Sequence, residues 1–136
     1  MVWALAILVA AIVILQAVLR LAPIRAADWH VPPQAERDED RPDGLRRRIT
    51  AWPDALAEFD RIIRDTPRTE LLAGSLRSGM MTYVTRSMIW GLPDLTTVRS
   101  RDSRLEIHAR ARFGRSDLGR NRRRVEHWLR RLERGG

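Results

Sequence analysis

From Val2 to Leu19 the chain reads VWALAILVAAIVILQAVL, eighteen residues without a charge. At about 1.5 Å per residue this run makes a helix of roughly 27 Å, close to the apolar thickness of a bilayer. The expectation is a transmembrane anchor over residues 1–24. Trp3 and Trp29 lie near its two ends, where indole rings favour the membrane interface, and Arg20 can extend its guanidinium toward headgroups. A cleaved signal peptide is the rival reading. Its marks are missing: no basic residue precedes the run, and Leu21-Ala22-Pro23 and Arg25-Ala26-Ala27 both fail as small-x-small cleavage sites. Arg20, Arg25, Arg37 and Arg41 come after the run, whereas only the amino terminus precedes it. That asymmetry favours a single-pass protein of the inner (plasma) membrane with its domain on the cytoplasmic side.

The chain has 136 residues, so the portion beyond the anchor has room for one small domain. It contains no cysteine, which excludes disulfides and thiolate metal sites. All 25 basic residues are arginine, and they are unevenly placed. Between Asp28 and Asp43 six acids face two arginines, a net charge of −4; from Arg110 onward ten arginines face three acids, a net charge of +7. Such a basic field attracts anionic surfaces at low salt.

Residues 25–44 hold three prolines and all six of those acids, which reads as an acidic, Pro-rich linker rather than a packed element. The domain is expected over residues 45–136. Leu45 to Ala51 suits a short edge strand. Pro53 can open a helix reaching about Asp65, with Leu56, Phe59, Ile62 and Ile63 on one stripe. Four short runs come next, Thr69–Ser75, Met80–Arg86, Leu95–Ser100 and Arg104–Arg110, separated by turn signals. In the last, Leu105, Ile107 and Ala109 alternate with Glu106, His108 and Arg110, as in a strand with one face in water. A second helix is expected from about Asn121 to Arg134, with Val125, Trp128, Leu129 and Leu132 inward. The fold class is therefore α+β: an N-terminal transmembrane helix, then β-α-β-β-β-β-α, a small antiparallel sheet with both helices on one face.

Two stretches are dense in information. Arg110 to Arg124, RARFGRSDLGRNRRR, has two glycines, a helix start and several arginines, the ingredients of an anion site. Against that, Ser116, Asp117 and Asn121 are ordinary turn and N-cap residues, and Arg112 or Arg115 has acids nearby to pair with. Thr82 to Val98 contains Gly91-Leu92-Pro93-Asp94, which reads as a turn between strands, and Trp90, expected to pack, with contact to a partner as the alternative. For catalysis the inventory is thin. His30, His108 and His127 form no metal-binding pair, and nothing places a base beside Ser116. No catalytic residue, metal site or cofactor is expected. Nucleic acid is not expected as a partner either, because the arginines lack interleaved exposed aromatics.

Taken together, PRTELLAGS, TYVTRSMIWGLPDLTTV and RFGRSDLGRNRRRVEHWL resemble the bacterial and plastid DUF1499 family over about residues 45–133, and RAADWHVPP resembles the linker of its proteobacterial members. The resemblance brings a domain of unknown function and no established chemistry. It implies which positions matter: Arg86, Ser87, Pro93 and Asp94 in the middle motif, and Arg112, Gly114, Ser116, Asp117, Gly119, Asn121 and Arg124 in the last. Arg120 departs from it, standing where the family more often has a small apolar residue.

These readings converge on a membrane-anchored, non-enzymatic accessory or binding protein. Its arginine-rich domain would contact a membrane protein complex, an anionic lipid surface or a small anion, with Arg86, Asp94, Arg112, Arg115, Ser116, Asp117, Asn121 and Arg124 as candidate contact residues. The alternative is a small-molecule enzyme built on Asp94 and the Arg112–Asp117 segment.

Overall fold

The computed structural model describes residues 1–135. Helix α1 (Val2–Leu21) buries none of its side chains. It is long and apolar enough to cross a membrane, a property that signal sequences share. A short helix α2 (Ala26–Trp29) comes next, and then six strands: β1 (Glu39–Arg41), β2 (Gly44–Thr50), β3 (Thr69–Ser75), β4 (Met80–Arg86), β5 (Pro93–Arg101) and β6 (Arg104–Ala111). Helix α3 (Ala55–Arg64) joins β2 to β3, and α4 (Arg120–Gly135) closes the described chain. All neighbouring strands are antiparallel, in the order β1-β2-β6-β5-β4-β3. The α+β class and the β3–β6 meander are as the sequence implies. Gly136, the expected end of the domain, lies outside the described residues.

One face of the sheet carries the core. Leu45, Met81, Tyr83, Val98, Leu105, Ile107 and Ala109 meet Leu56, Phe59 and Ile63 of α3 and Val125, Trp128 and Leu132 of α4. Phe59 and Trp128 meet edge to face at 6.3 Å, the arrangement favoured by opposed ring quadrupoles. The polar handles of the core aromatics are satisfied: Trp128 donates to Thr66 at 2.8 Å and Tyr83 donates to Asp60 at 2.6 Å.

The other face departs from expectation. The alternation along β6 puts Glu106 and Arg110 in water, yet each is 7% exposed. They are covered because residues 28–44, which read from sequence as a linker, lie across the sheet. Trp29 gives its carbonyl to Arg110 at 2.5 Å, Pro33 to Arg46 at 2.9 Å and Glu36 to Arg48 at 2.8 Å. His30 shares a hydrogen bond with Thr82 at 2.7 Å, and Ala35 is fully buried. The stretch ends as β1, which pairs with β2, so β2 is not the sheet edge that its shortness suggested. Its acids hold it in place from outside: Asp40 bridges to Arg47 at 2.7 Å and, across to α4, to Arg122 at 3.9 Å. Arginine suits this work because its fork of five donors engages several carbonyls at once.

Candidate functional site at the foot of the apolar helix

Strand β4 ends at Arg86 and the chain turns through Ser87–Leu92 into β5. Ser87 closes the turn, its backbone N–H donating to the Leu92 carbonyl at 3.0 Å and its hydroxyl accepting from the Leu92 N–H at 3.0 Å. Gly91 sits at φ +69°, and a Cβ there would press on Cγ of Arg20 at 2.7 Å, so glycine lets α1 approach the loop. The contact is polar as well as close. Gln16 donates its amide to the Ile89 carbonyl at 2.9 Å and Arg20 donates to the same oxygen at 3.0 Å. Arg86 donates to the Gly91 carbonyl at 2.9 Å and to that of Leu19 at 3.4 Å. Arg112, on the same sheet face, reaches the Ala22 carbonyl at 3.3 Å and lies over the Phe113 ring at 5.0 Å. The last turn of α1, whose carbonyls have no partner within the helix, is thus received by arginines of the domain.

Four other candidates, Asp94, Asp117, Asn121 and Arg124, gather on the opposite, helix-covered face. Asp94 is not in a turn. Pro93 opens β5, a place where a missing N–H is tolerated, and Asp94 is the second strand residue, 1% exposed. Both its oxygens bond Arg120 at 2.7 Å, and Oδ2 also accepts from Arg124 at 2.9 Å. Arg120, the residue that departs from the family pattern, therefore forms a two-point pair, and its guanidinium is held above its usual value, first by this hydrogen bonding. Arg124 also donates to Asn121 at 3.2 Å.

Asp117 is the cap of α4. One oxygen accepts the Gly119 N–H at 2.9 Å; the other accepts the backbone and side-chain N–H of Asn121 at 3.1 and 2.8 Å. Burial pushes this carboxyl upward, but the hydrogen bonds from Asn121 and Gly119 prevail and its pKa lies below the usual value. Asp117→Ala is accordingly expected to cost about 0.5–2 kcal/mol, read as a lowered melting temperature of the full chain in mild detergent; an unchanged curve would reject the capping role.

The candidates thus divide. Asp94, Asp117, Asn121 and Arg124 form one network with Arg120. Arg86 and Arg112 meet α1, and Arg115 and Ser116 stand exposed on the connecting loop. Of the membrane-interface set, Arg20 is drawn into the loop contact, Trp3 is exposed on α1, and Trp29 has its ring under the Arg110 guanidinium at 5.3 Å. Trp90, expected to pack, is 38% exposed. Arg68 escapes sequence reasoning; it donates to the Arg86 carbonyl at 3.0 Å, a main-chain contact with no residue-type signature. Among the described residues no three His, Cys, Asp or Glu side chains gather at metal-holding distance.

Comparison with known proteins places the chain at the level of family. No curated protein matches the chain. A family model described as protein of unknown function (DUF1499) matches residues 26–132, which takes in the covering segment, the sheet and most of α4. The chain belongs to the DUF1499 family.

Proposed function

We propose that the chain is a membrane-anchored binding protein, held in the inner membrane by α1, whose domain takes anionic lipid headgroups at the foot of that helix. The observation that carries this reading is a cavity of about 370 Å³ lined by Arg20, Arg68 and Arg86, with Glu70 and the apolar side chains of Ile24, Leu71, Leu72 and Val84. Three arginines against one glutamate leave the lining at +2. Each of these guanidinium groups gives donors to a backbone carbonyl, which fixes its place and leaves other N–H groups for a phosphate. The apolar residues beside them match the glycerol and acyl end of a lipid. An anionic leaflet adds about 1 kcal/mol per arginine near its surface. The arginines that flank α1 favour the cytoplasmic leaflet.

The contacts of Gln16 and Arg20 with the 87–92 loop support α1 as a working part of the folded protein. The test uses the full chain in phosphatidylcholine nanodiscs with and without phosphatidylglycerol. Saturation with the anionic lipid, at about 100 times its Kd, is expected to stabilise the native state by about 2.7 kcal/mol. Arg68→Gln should abolish most of that gain. Equal melting temperatures in the two lipids overturn the reading, and a rise produced equally by inorganic phosphate would assign the cavity to a free anion instead.

A further inference from the structure

The 87–92 loop presents Met88, Ile89 and Trp90 to the outside, and Met88 and Ile89 are 72% and 68% exposed. Their position is fixed against α1. Gln16, bonded to the Ile89 carbonyl, lies four residues before Arg20, hence about 6 Å deeper along the helix axis. Arg20, Arg86 and Arg112 stand around the same end of the sheet, with their guanidinium groups on the last carbonyls of α1 and of the loop. If α1 crosses the bilayer, these cations lie at headgroup level, and the Ile89 carbonyl, shared by Arg20 and Gln16, lies between that level and the depth of Gln16.

We propose that Met88, Ile89 and Trp90 form a second membrane contact, an apolar loop inserted into the same leaflet that α1 enters. This rests on the anchoring part of the functional reading, not on the lipid-binding cavity. The occupant is the acyl region just under the headgroups. Interfacial apolar elements lie about 5–10 Å into the headgroup–acyl boundary, and the Ile89 carbonyl, held jointly by Arg20 and Gln16, sets the exposed loop side chains beside the end of the apolar run of α1. The side chains suit the depth: Trp prefers the interface, and Met and Ile prefer hydrocarbon. The Gln16 amide has a role there too, because with Arg20 it satisfies a loop carbonyl close to the apolar layer.

The chain lacks cysteine, so one probe site can be introduced without background. Full-length Ile89→Cys, and separately Met88→Cys, carry an environment-sensitive fluorophore in proteoliposomes. Arg77→Cys, in the turn at the opposite end of β4, is the aqueous control. Both loop residues are exposed, so labelling leaves the core intact. Probes at 88 and 89 are expected to emit to the blue of the control, to resist iodide and to be quenched by lipids carrying a nitroxide near the headgroup. Flotation of the same vesicles separates the failures. A chain that does not float overturns the anchoring reading and this one with it. A chain that floats while probes at both positions behave like the control overturns the insertion alone. Shielding from both iodide and lipid nitroxides would mean that protein covers the loop, which also rejects it.

Discussion

Asp94→Ala is expected to cost the domain about 3–5 kcal/mol, the penalty typical of removing one partner from a buried ion pair. Asp94 is buried beneath α4 and serves two arginines, of which Arg124 is largely buried and Arg120 about one-third exposed. Its loss leaves two positive charges facing each other on consecutive turns of one helix. Arg120 has a route to solvent and should recover part of the loss; Arg124 has less freedom. For a domain of this size the change corresponds to roughly 10 °C or more in melting temperature. Asp94→Asn keeps the shape and should still lose most of the stability, which separates charge from packing. A double-mutant cycle with Arg120→Gln should return a clear coupling energy. If Asp94→Asn melts with the wild type, Asp94 is not the counter-charge that fixes α4 on the sheet.

Mild acid is the second condition expected to weaken the fold. His108 lies on the covered face of β6, and its pKa is lowered to about 3, first by burial and then by the charges of Arg110, Arg46 and Arg41. Its neutral form is the native one. With an ordinary value near 6.5 in the unfolded chain, the unfolded state gains the proton first as pH falls. The stabilisation is complete above pH 6.5 and is lost progressively from there toward pH 3. Linkage puts the loss at about 2 kcal/mol between pH 7 and 5, and on the order of 4 kcal/mol by pH 3. The upper window is the diagnostic one, because ordinary carboxylates stay ionised there. Melting curves at pH 7, 6 and 5 should show the decline in wild type and its removal in His108→Gln. A histidine-independent decline would assign the acid sensitivity elsewhere.

The domain helices α3 and α4 and the meander were legible because their apolar residues recur at helical or strand spacing, as Leu56, Phe59 and Ile63 do in α3 and Leu105, Ile107 and Ala109 in β6. The covering segment was not. Its prolines and acids carry no apolar period, and what binds it is a series of arginines donating to main-chain carbonyls, which any residue supplies. The same blindness hid the second face: Glu106, His108 and Arg110 alternate as solvent residues do, and only the segment above them removes water. Asp94 was misplaced because Leu-Pro-Asp reads as a turn; the turn ends at Leu92 and Pro93 starts the strand. Asp117 was legible as a capping residue, since the helix start that needs it was itself visible; Asn121, also readable as a cap, instead lies inside α4 and donates to Asp117.

The fixed course of residues 28–44 governs how far the domain can travel. A flexible tether of that length would let a domain wander about 23 Å from its exit point, sweeping a hemisphere above the bilayer. Here the backbone is held from the Leu19 carbonyl at Arg86 to that of Glu36 at Arg48, so the slack is taken up. The protein is a bracket rather than a leash. The domain keeps one orientation relative to α1. Were α1 to cross a bilayer, a partner would have to reach the domain at that fixed height.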